Sequence, residues 1–199
     1  MLLDAAMGSA GDARQLFYRA AVELRDRLPA APAVALPPLD AGQPAITAEE
    51  AYRDILFHGP LFQRIERIEA MGPAGASAII RTSTPQECLA APAGGAWLID
   101  PIVIDCAIQL QLIWGRLHWD ITGLPARFDS LRRFAPLAGE RIRCETRIRP
   151  SSASPRVLAD HYLFATDGRL LAVLEGVELV GSKALNRVAG GTASSEETP

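Results

Sequence analysis

The stretch DPIVIDCAIQLQLIWGRLH, from Asp100 to His118, constrains this chain more than any other. Ile102, Val103, Ile104, Ile108, Leu110, Leu112, Ile113 and Trp114 place apolar side chains on nearly every side of the helix it predicts. A helix with no polar face to turn to water must be wrapped by the rest of the chain rather than covered along one stripe. Asp100 followed by Pro101 predicts the cap and first position of that helix. An Asp side chain accepts from the unpaired N–H groups of the first turn, and Pro has no N–H to leave unpaired there. Asp105 and Gln109 then stand out. Four residues apart, they share one helical face with Ile108 and Leu112 beside them, and Asp105 has no capping duty left. A carboxylate on a buried helix needs a partner or a raised pKa, and both point towards a site. The positive end of the helix dipole favours its ionised form, and the Gln109 amide is able to fix its orientation. The plain structural alternative makes Asp105 a charge partner of the helix N-terminus and Gln109 a surface residue.

The segments around this helix read mainly as strands. The window RQLFYRAAVELRD alternates Leu16, Tyr18, Ala20, Val22 and Leu24 with more polar neighbours, so residues 14–28 predict a strand, although their composition also tolerates a helix. Before them, the Gly- and Ala-rich residues 1–13 predict a disordered start. Pro29, Pro32, Pro37, Pro38 and Pro44 make residues 29–46 an extended linker. Thr47 and Glu50 form a capping box that opens a short helix to about Phe57, stopped at Gly59 and Pro60. LFQRIERIEAMG and GASAIIRTST predict two strands joined at a turn, and the loop after them leads into the apolar helix. ARFDSLRRFAPL, RIRCETRIRP, VLADHYLFATDG and RLLAVLEGVELVG predict four more, with Asp167-Gly168 as a hairpin turn. Residues 183–199 are small and polar and predict a disordered tail. The ordered body, 47–182, is therefore an α+β unit: one antiparallel sheet of about six strands rolled around one long helix, which is the hot-dog arrangement.

Composition narrows the function classes. With 49% hydrophobic and 22% charged residues and a net charge of -3, the chain has the balance of a globular protein and no basic run for nucleic acid. No apolar stretch reaches membrane-spanning length, and the N-terminus makes a poor signal peptide. Cys88, Cys106 and Cys144 lack zinc-ligand or redox spacing, so no metal is expected, and buried free thiols in a cytoplasmic chain are the simple expectation. His118 is expected near the helix C-terminus and His161 in a strand, both structural. Trp97, Trp114 and Trp119 are expected to cluster around the helix as core.

DPIVIDCAIQ resembles the DPxxxDxxxQ signature of the second hot-dog half of polyketide synthase dehydratase domains. LFHGPLFQRI resembles that family's GPxF motif, in the His-Gly-Pro form similar to polyunsaturated fatty acid and related iterative synthases, and LPARFDSLRRFAP resembles the strand after the helix. The likeness runs from about Arg14 to Lys183. It implies two fused hot dogs that remove water from a 3-hydroxyacyl chain carried on the phosphopantetheine of an acyl carrier protein, without a further cofactor. It also implies a histidine base in the first half and an aspartate acid in the second. By resemblance Asp105 is the acid, Gln109 orients it, and His58, Gly59, Pro60 and Phe62 line the substrate tunnel. An acid in an apolar tunnel keeps its proton more readily, which suits that role.

One departure is large. The family's HxxxGxxxxP motif has no counterpart here, since His58, His118 and His161 all fall in the part that resembles the second half. Residues 14–28 then resemble the last strand of a first hot dog and 29–46 the connector. The expectation is a C-terminal dehydratase half, nearly inactive alone, whose partners are the acyl carrier protein, other synthase domains and a histidine-bearing half from elsewhere. His58, next to Gly-Pro, is expected to line the pocket rather than act as the base. Two alternatives stand beside this: a non-catalytic docking or dimerisation module, whose exposed apolar interface would also suit a homodimer, and a product-template-like cyclase domain.

Overall fold

The computed structural model describes residues 2–8, 16–39, 44–91, 94–137 and 139–188. The chain divides into two units, Met1–Ala30 and Ala31–Pro199. In the first, β1 (Leu2–Gly8) pairs antiparallel with β2 (Leu16–Glu23), Leu2 opposite Glu23. This corrects the expected disorder of residues 1–13 over Leu2–Gly8, while residue 1 and residues 9–13 lie outside the described residues. Small residues weaken a strand's side-chain packing, but the β2 ladder takes up the backbone polar groups of Leu2–Gly8 all the same.

In the second unit, α1 (Ala48–Asp54) starts at the capping box, with Glu50 N–H donating to the Thr47 hydroxyl and Thr47 N–H donating to the Glu50 carboxylate. It ends earlier than expected because Ile55 and Leu56 both donate to Ala51 O, which closes the last turn. A 3-10 turn at Pro60–Phe62 precedes β3 (Ile65–Gly72) and β4 (Gly75–Arg81). Gly75 is required at its place: φ is +148°, and a Cβ there would lie 2.0 Å from Thr146 O. A short helix absent from the sequence reading, α2 (Pro85–Cys88), carries its own Thr84–Glu87 capping box.

The central helix α3 (Pro101–Trp119) matches the expected window, and Asp100 caps it by accepting from Ile102 N and Val103 N. Ser83 donates to the same carboxylate through its N–H and hydroxyl, so the cap also ties α3 to the end of β4. After it come β5 (Thr122–Arg127), β6 (Ser130–Arg133), β7 (Arg141–Ile148), β8 (Arg156–Ala165) and β9 (Leu170–Ser182). The sheet order is β3-β4-β7-β8-β9-β5, with β6 also along β9. The expected strand ARFDSLRRFAPL is thus two strands on one long partner. They part at Asp129, opposite Gly176, whose φ of +63° bends β9 where the β8–β9 register shifts. The β8–β9 hairpin turns at the predicted Asp167-Gly168.

The antiparallel sheet wraps α3 as the all-round apolar pattern requires: the helix meets β3, β4, β5, β7, β8 and β9. Its Ile102, Val103, Cys106, Ala107, Leu110 and Ile113 are fully enclosed, with Ala76, Ala78, Ile80, Ile142, Cys144 and Leu163 among the sheet residues of the same core. Burying each such Leu or Ile contributes about 1.5–3 kcal/mol, so this one helix anchors the unit. Residues 29–39 and 44–46 have no regular secondary structure, as expected of the linker, and 40–43 lie outside the described residues, while Val34 and Leu36 pack beside Phe164, Leu170 and Val173 on a second, smaller cluster. The expected tail disorder is corrected over Lys183–Val188, a 3-10 helix whose Asn186 amide donates to Asp120 O and accepts from Thr122 Oγ1. Residues 189–199 lie outside the described residues. Among those described, no helix is long and apolar enough to cross a membrane.

Candidate active site

Asp105 sits in the second turn of α3, where the apolar wrapping opens: its side chain keeps 33% exposure, while its neighbours Cys106 and Gln109 are buried. Gln109, one turn on, donates from Nε2 to Asp105 Oδ2 at 2.7 Å and to Phe62 O at 3.0 Å. Its Oε1 accepts from the Tyr52 hydroxyl at 2.9 Å. The pairing expected from the four-residue spacing is therefore made, and Gln109 is a core residue rather than a surface one.

The segment 57–62 closes over this face. His58 Nε2 lies 3.5 Å from Asp105 Oδ2, and the His58 ring stacks on Phe57 with centroids 4.6 Å apart. His58 Nδ1 is buried without a hydrogen-bond partner among the described residues. Burial holds His58 below the ordinary histidine range, and the Asp105 carboxylate pulls the other way. Of the other motif residues, Gly59 and Pro60 open the 3-10 turn and are exposed, and Phe62 acts through its backbone carbonyl. That carbonyl accepts from Gln109 Nε2 and from Cys106 Sγ. A Cβ at Gly59 would meet nothing within 4 Å, so no close contact demands glycine there. Phe57, Leu61 and Phe62 leave much of their side chains in solvent, giving the opening an apolar rim.

Two participants escaped the sequence reading. Tyr52, on α1, reaches Gln109 from 57 residues away, and no spacing rule connects them. Cys106 faces the same carbonyl, with its thiol pushed up to about 12 by burial and hence unreactive. The other histidines are structural, as expected. His118 stacks on Trp114 at 4.5 Å and bonds the Trp114 carbonyl through Nδ1. His161 is fully buried between Gln111 and Thr146. The tryptophan expectation needs one correction. Trp114 and Trp119 meet edge to face within the core cluster, but Trp97 stands apart from it and donates to Ser83 Oγ beside the helix cap.

The arrangement is an orientable carboxyl group at the edge of an apolar interior, with one oxygen held and the other, Oδ1, without a partner among the described residues. A partly exposed carboxyl held in this way is able to deliver or take a proton.

Residues 30–187 match the family model described as polyketide synthase dehydratase N-terminal domain. No curated protein matches the chain. Solved structures do. The dehydratase domain from the CurF module of curacin polyketide synthase superposes with a TM-score of 0.69 at 20% identity, over 91% of this chain and 64% of that one. The dehydratase domain from the CurJ module gives 0.62 at 18% identity, over 85% of this chain and 60% of the other. That of PpsC from Mycobacterium tuberculosis, in complex with C12:1-CoA, gives 0.59 at 21% identity over 91% and 68%. At these identities the likeness is one of fold. The chain spans roughly three-fifths of the length of the two curacin domains.

Proposed function

Because this chain belongs to the polyketide synthase dehydratase family, we propose that it supplies the acid-bearing hot dog of a 3-hydroxyacyl dehydratase. The substrate is a 3-hydroxyacyl thioester on the phosphopantetheine arm of an acyl carrier protein. A base removes the α-proton, and the electron pair left behind forms the C=C bond. The C–O bond breaks, and the Asp105 proton goes to the departing oxygen, which leaves as water. The observation that carries this reading is the Asp105 carboxyl, fixed through one oxygen by buried Gln109 and open at the other. The matching family model is described as an N-terminal domain, whereas the helix signature here resembles that of the C-terminal half. The assignment to the C-terminal half rests on Asp105 and Gln109.

The base is a histidine from a hot-dog half outside these 199 residues, on the same polypeptide or another, since the sequence holds no HxxxGxxxxP. His58 is a poor substitute on geometric grounds. It stands 3.5 Å from Asp105 Oδ2, beside the acid, where no substrate carbon fits between them. It lines the opening with Phe57 and Phe62, where burial lowers its pKa and the Asp105 carboxylate pulls the other way. The test combines the full chain with a candidate histidine-bearing half and 3-hydroxybutyryl-acyl carrier protein, and follows loss of 18 Da by mass, about one water. Dehydration by the mixture that Asp105→Asn abolishes supports the acid. Activity untouched by that substitution overturns it, and strong activity of the chain alone places the base within it.

A further inference from the structure

We infer that Tyr52 is a positioning residue for the acid: its hydroxyl locks the Gln109 amide so that Asp105 Oδ2 is held and Oδ1 alone is left to carry the transferable proton. The inference rests on Asp105 being the acid, but its central claim, the direction of the hydrogen bonds, stands on the chain's own contacts.

Polarity enters the relay from the backbone. The Ile65 N–H can only donate, and it donates to Tyr52 Oη at 2.9 Å. The phenol's own hydrogen must then point elsewhere, and the nearest acceptor is Gln109 Oε1 at 2.9 Å, ahead of Phe62 O at 3.5 Å. With Oε1 claimed, Nε2 faces Phe62 O at 3.0 Å and Asp105 Oδ2 at 2.7 Å, two acceptors that each need a donor. The reversed amide would set Oε1 against both of those oxygens and leave the Tyr52 hydrogen facing an NH2 group. A buried side chain cannot turn to water to escape that mismatch, and each unmet group is costly. Gln109 is 1% exposed, so one orientation prevails. Burial also keeps the Tyr52 phenol well above its ordinary pKa, so the hydrogen that sets the relay stays in place.

The consequence reaches the acid. Oδ2 is already occupied by Gln109 Nε2–H at 2.7 Å, with His58 Nε2 3.5 Å away, so it is the oxygen that orients the group. Oδ1 has no partner among the described residues of this partly exposed carboxyl, which leaves it to carry the transferable proton. Tyr52 reaches this point because α1 is anchored by its capping box and by buried Ala48 and Ala51, which hold it against β3. Tyr52 makes no hydrogen bond to Asp105 and reaches it through Gln109.

The test uses the full chain with Tyr52→Phe, which keeps the ring and removes only the hydroxyl. By NMR, hydrogen exchange of the Gln109 side-chain NH2 is expected to speed up at least tenfold, on the order of one lost hydrogen bond. In a mixture that dehydrates 3-hydroxybutyryl-acyl carrier protein, kcat falls about tenfold with KM within about twofold, as for an interaction felt only at the transition state. Adding Tyr52→Phe to Gln109→Leu lowers kcat no further, because the relay is already cut. Unchanged Gln109 exchange overturns the relay whether or not the mixture is active. Faster exchange with unaltered kcat, or losses that multiply in the double variant, overturns the positioning role. A mixture inactive even with the wild-type chain counts against the dehydratase reading, and the exchange result still decides the relay. Should Tyr52→Phe fail to fold, 3-fluorotyrosine at position 52, a stronger donor, is expected to slow Gln109 exchange, and faster exchange overturns the relay.

Discussion

Helix α3 carries two polar clusters a short way apart, and they are built on opposite terms. Gln111 donates from Nε2 to Val157 O and Val177 O, and its Oε1 receives His161 Nε2–H. His161 Nδ1 meets the Thr146 hydroxyl, and all three side chains are fully buried. Each side-chain nitrogen and oxygen of the Gln111–His161 pair has a partner, so the cluster ties helix to sheet and has nothing left to offer a ligand. The Asp105–Gln109 cluster, one turn nearer the helix start, is satisfied at Gln109 and incomplete at Asp105 and His58. A polar group in an apolar interior marks a site when its bonding is unfinished and solvent reaches it. When its bonding is finished, it marks structure.

The contrast is sharpest in activity. Asp105→Asn is expected to lower dehydration in the complemented mixture by about a thousandfold, about 4 kcal/mol of barrier, while shifting the urea unfolding free energy by less than about 0.5 kcal/mol. A large stability loss instead would make the two clusters alike. Gln111→Leu is the reverse case. It leaves two carbonyls and an imidazole N–H without partners in the core, and urea titration should show a loss of about 3 kcal/mol.

The third expectation separates the clusters by pH. Burial lowers the His161 pKa from 6.5 to about 3. The folded state thus keeps it neutral where the unfolded chain protonates, and the unfolded state binds more protons below pH 6.5. The stability held above that pH is lost as pH falls towards 3, by about 2 kcal/mol between pH 6.5 and pH 5. Urea midpoints at those pH values should show the loss in the wild type and not in His161→Gln; equal slopes would mean that other groups govern it. The smallest effect is chemical. Burial pushes the Cys106 and Cys144 thiols each up to about 12, and Cys88 is only partly buried. A thiol reagent in native buffer should label Cys88 alone, and labelling of Cys106 would mean that the site opens further than its described geometry.

Much of this was legible because it is local. The wrapped helix, its Asp100 cap, the Thr47–Glu50 capping box and the Asp167-Gly168 hairpin follow from side chains acting within a few residues of themselves. The spacing of Asp105 and Gln109 likewise brought them onto one face, and they bond there. The errors arose where pairing overrode composition. Leu2–Gly8 is a strand because β2 accepts it, and ARFDSLRRFAPL breaks because Gly176, far along the chain, bends the strand it pairs with.

The sequence alone determined that a helix without a polar face must be enclosed, and that a carboxylate on it is either satisfied or in use. Only the tertiary structure decided which. Tyr52, Phe62 and His58 come to Asp105 and Gln109 from another part of the chain, and hydrogen bonds and burial depend on that meeting in space. Gln109 and Gln111 are the same residue type two positions apart on one helix, yet one orients a partly exposed acid and the other closes a core. What separates them is the β-sheet, which covers Gln111 completely and stops short of Asp105.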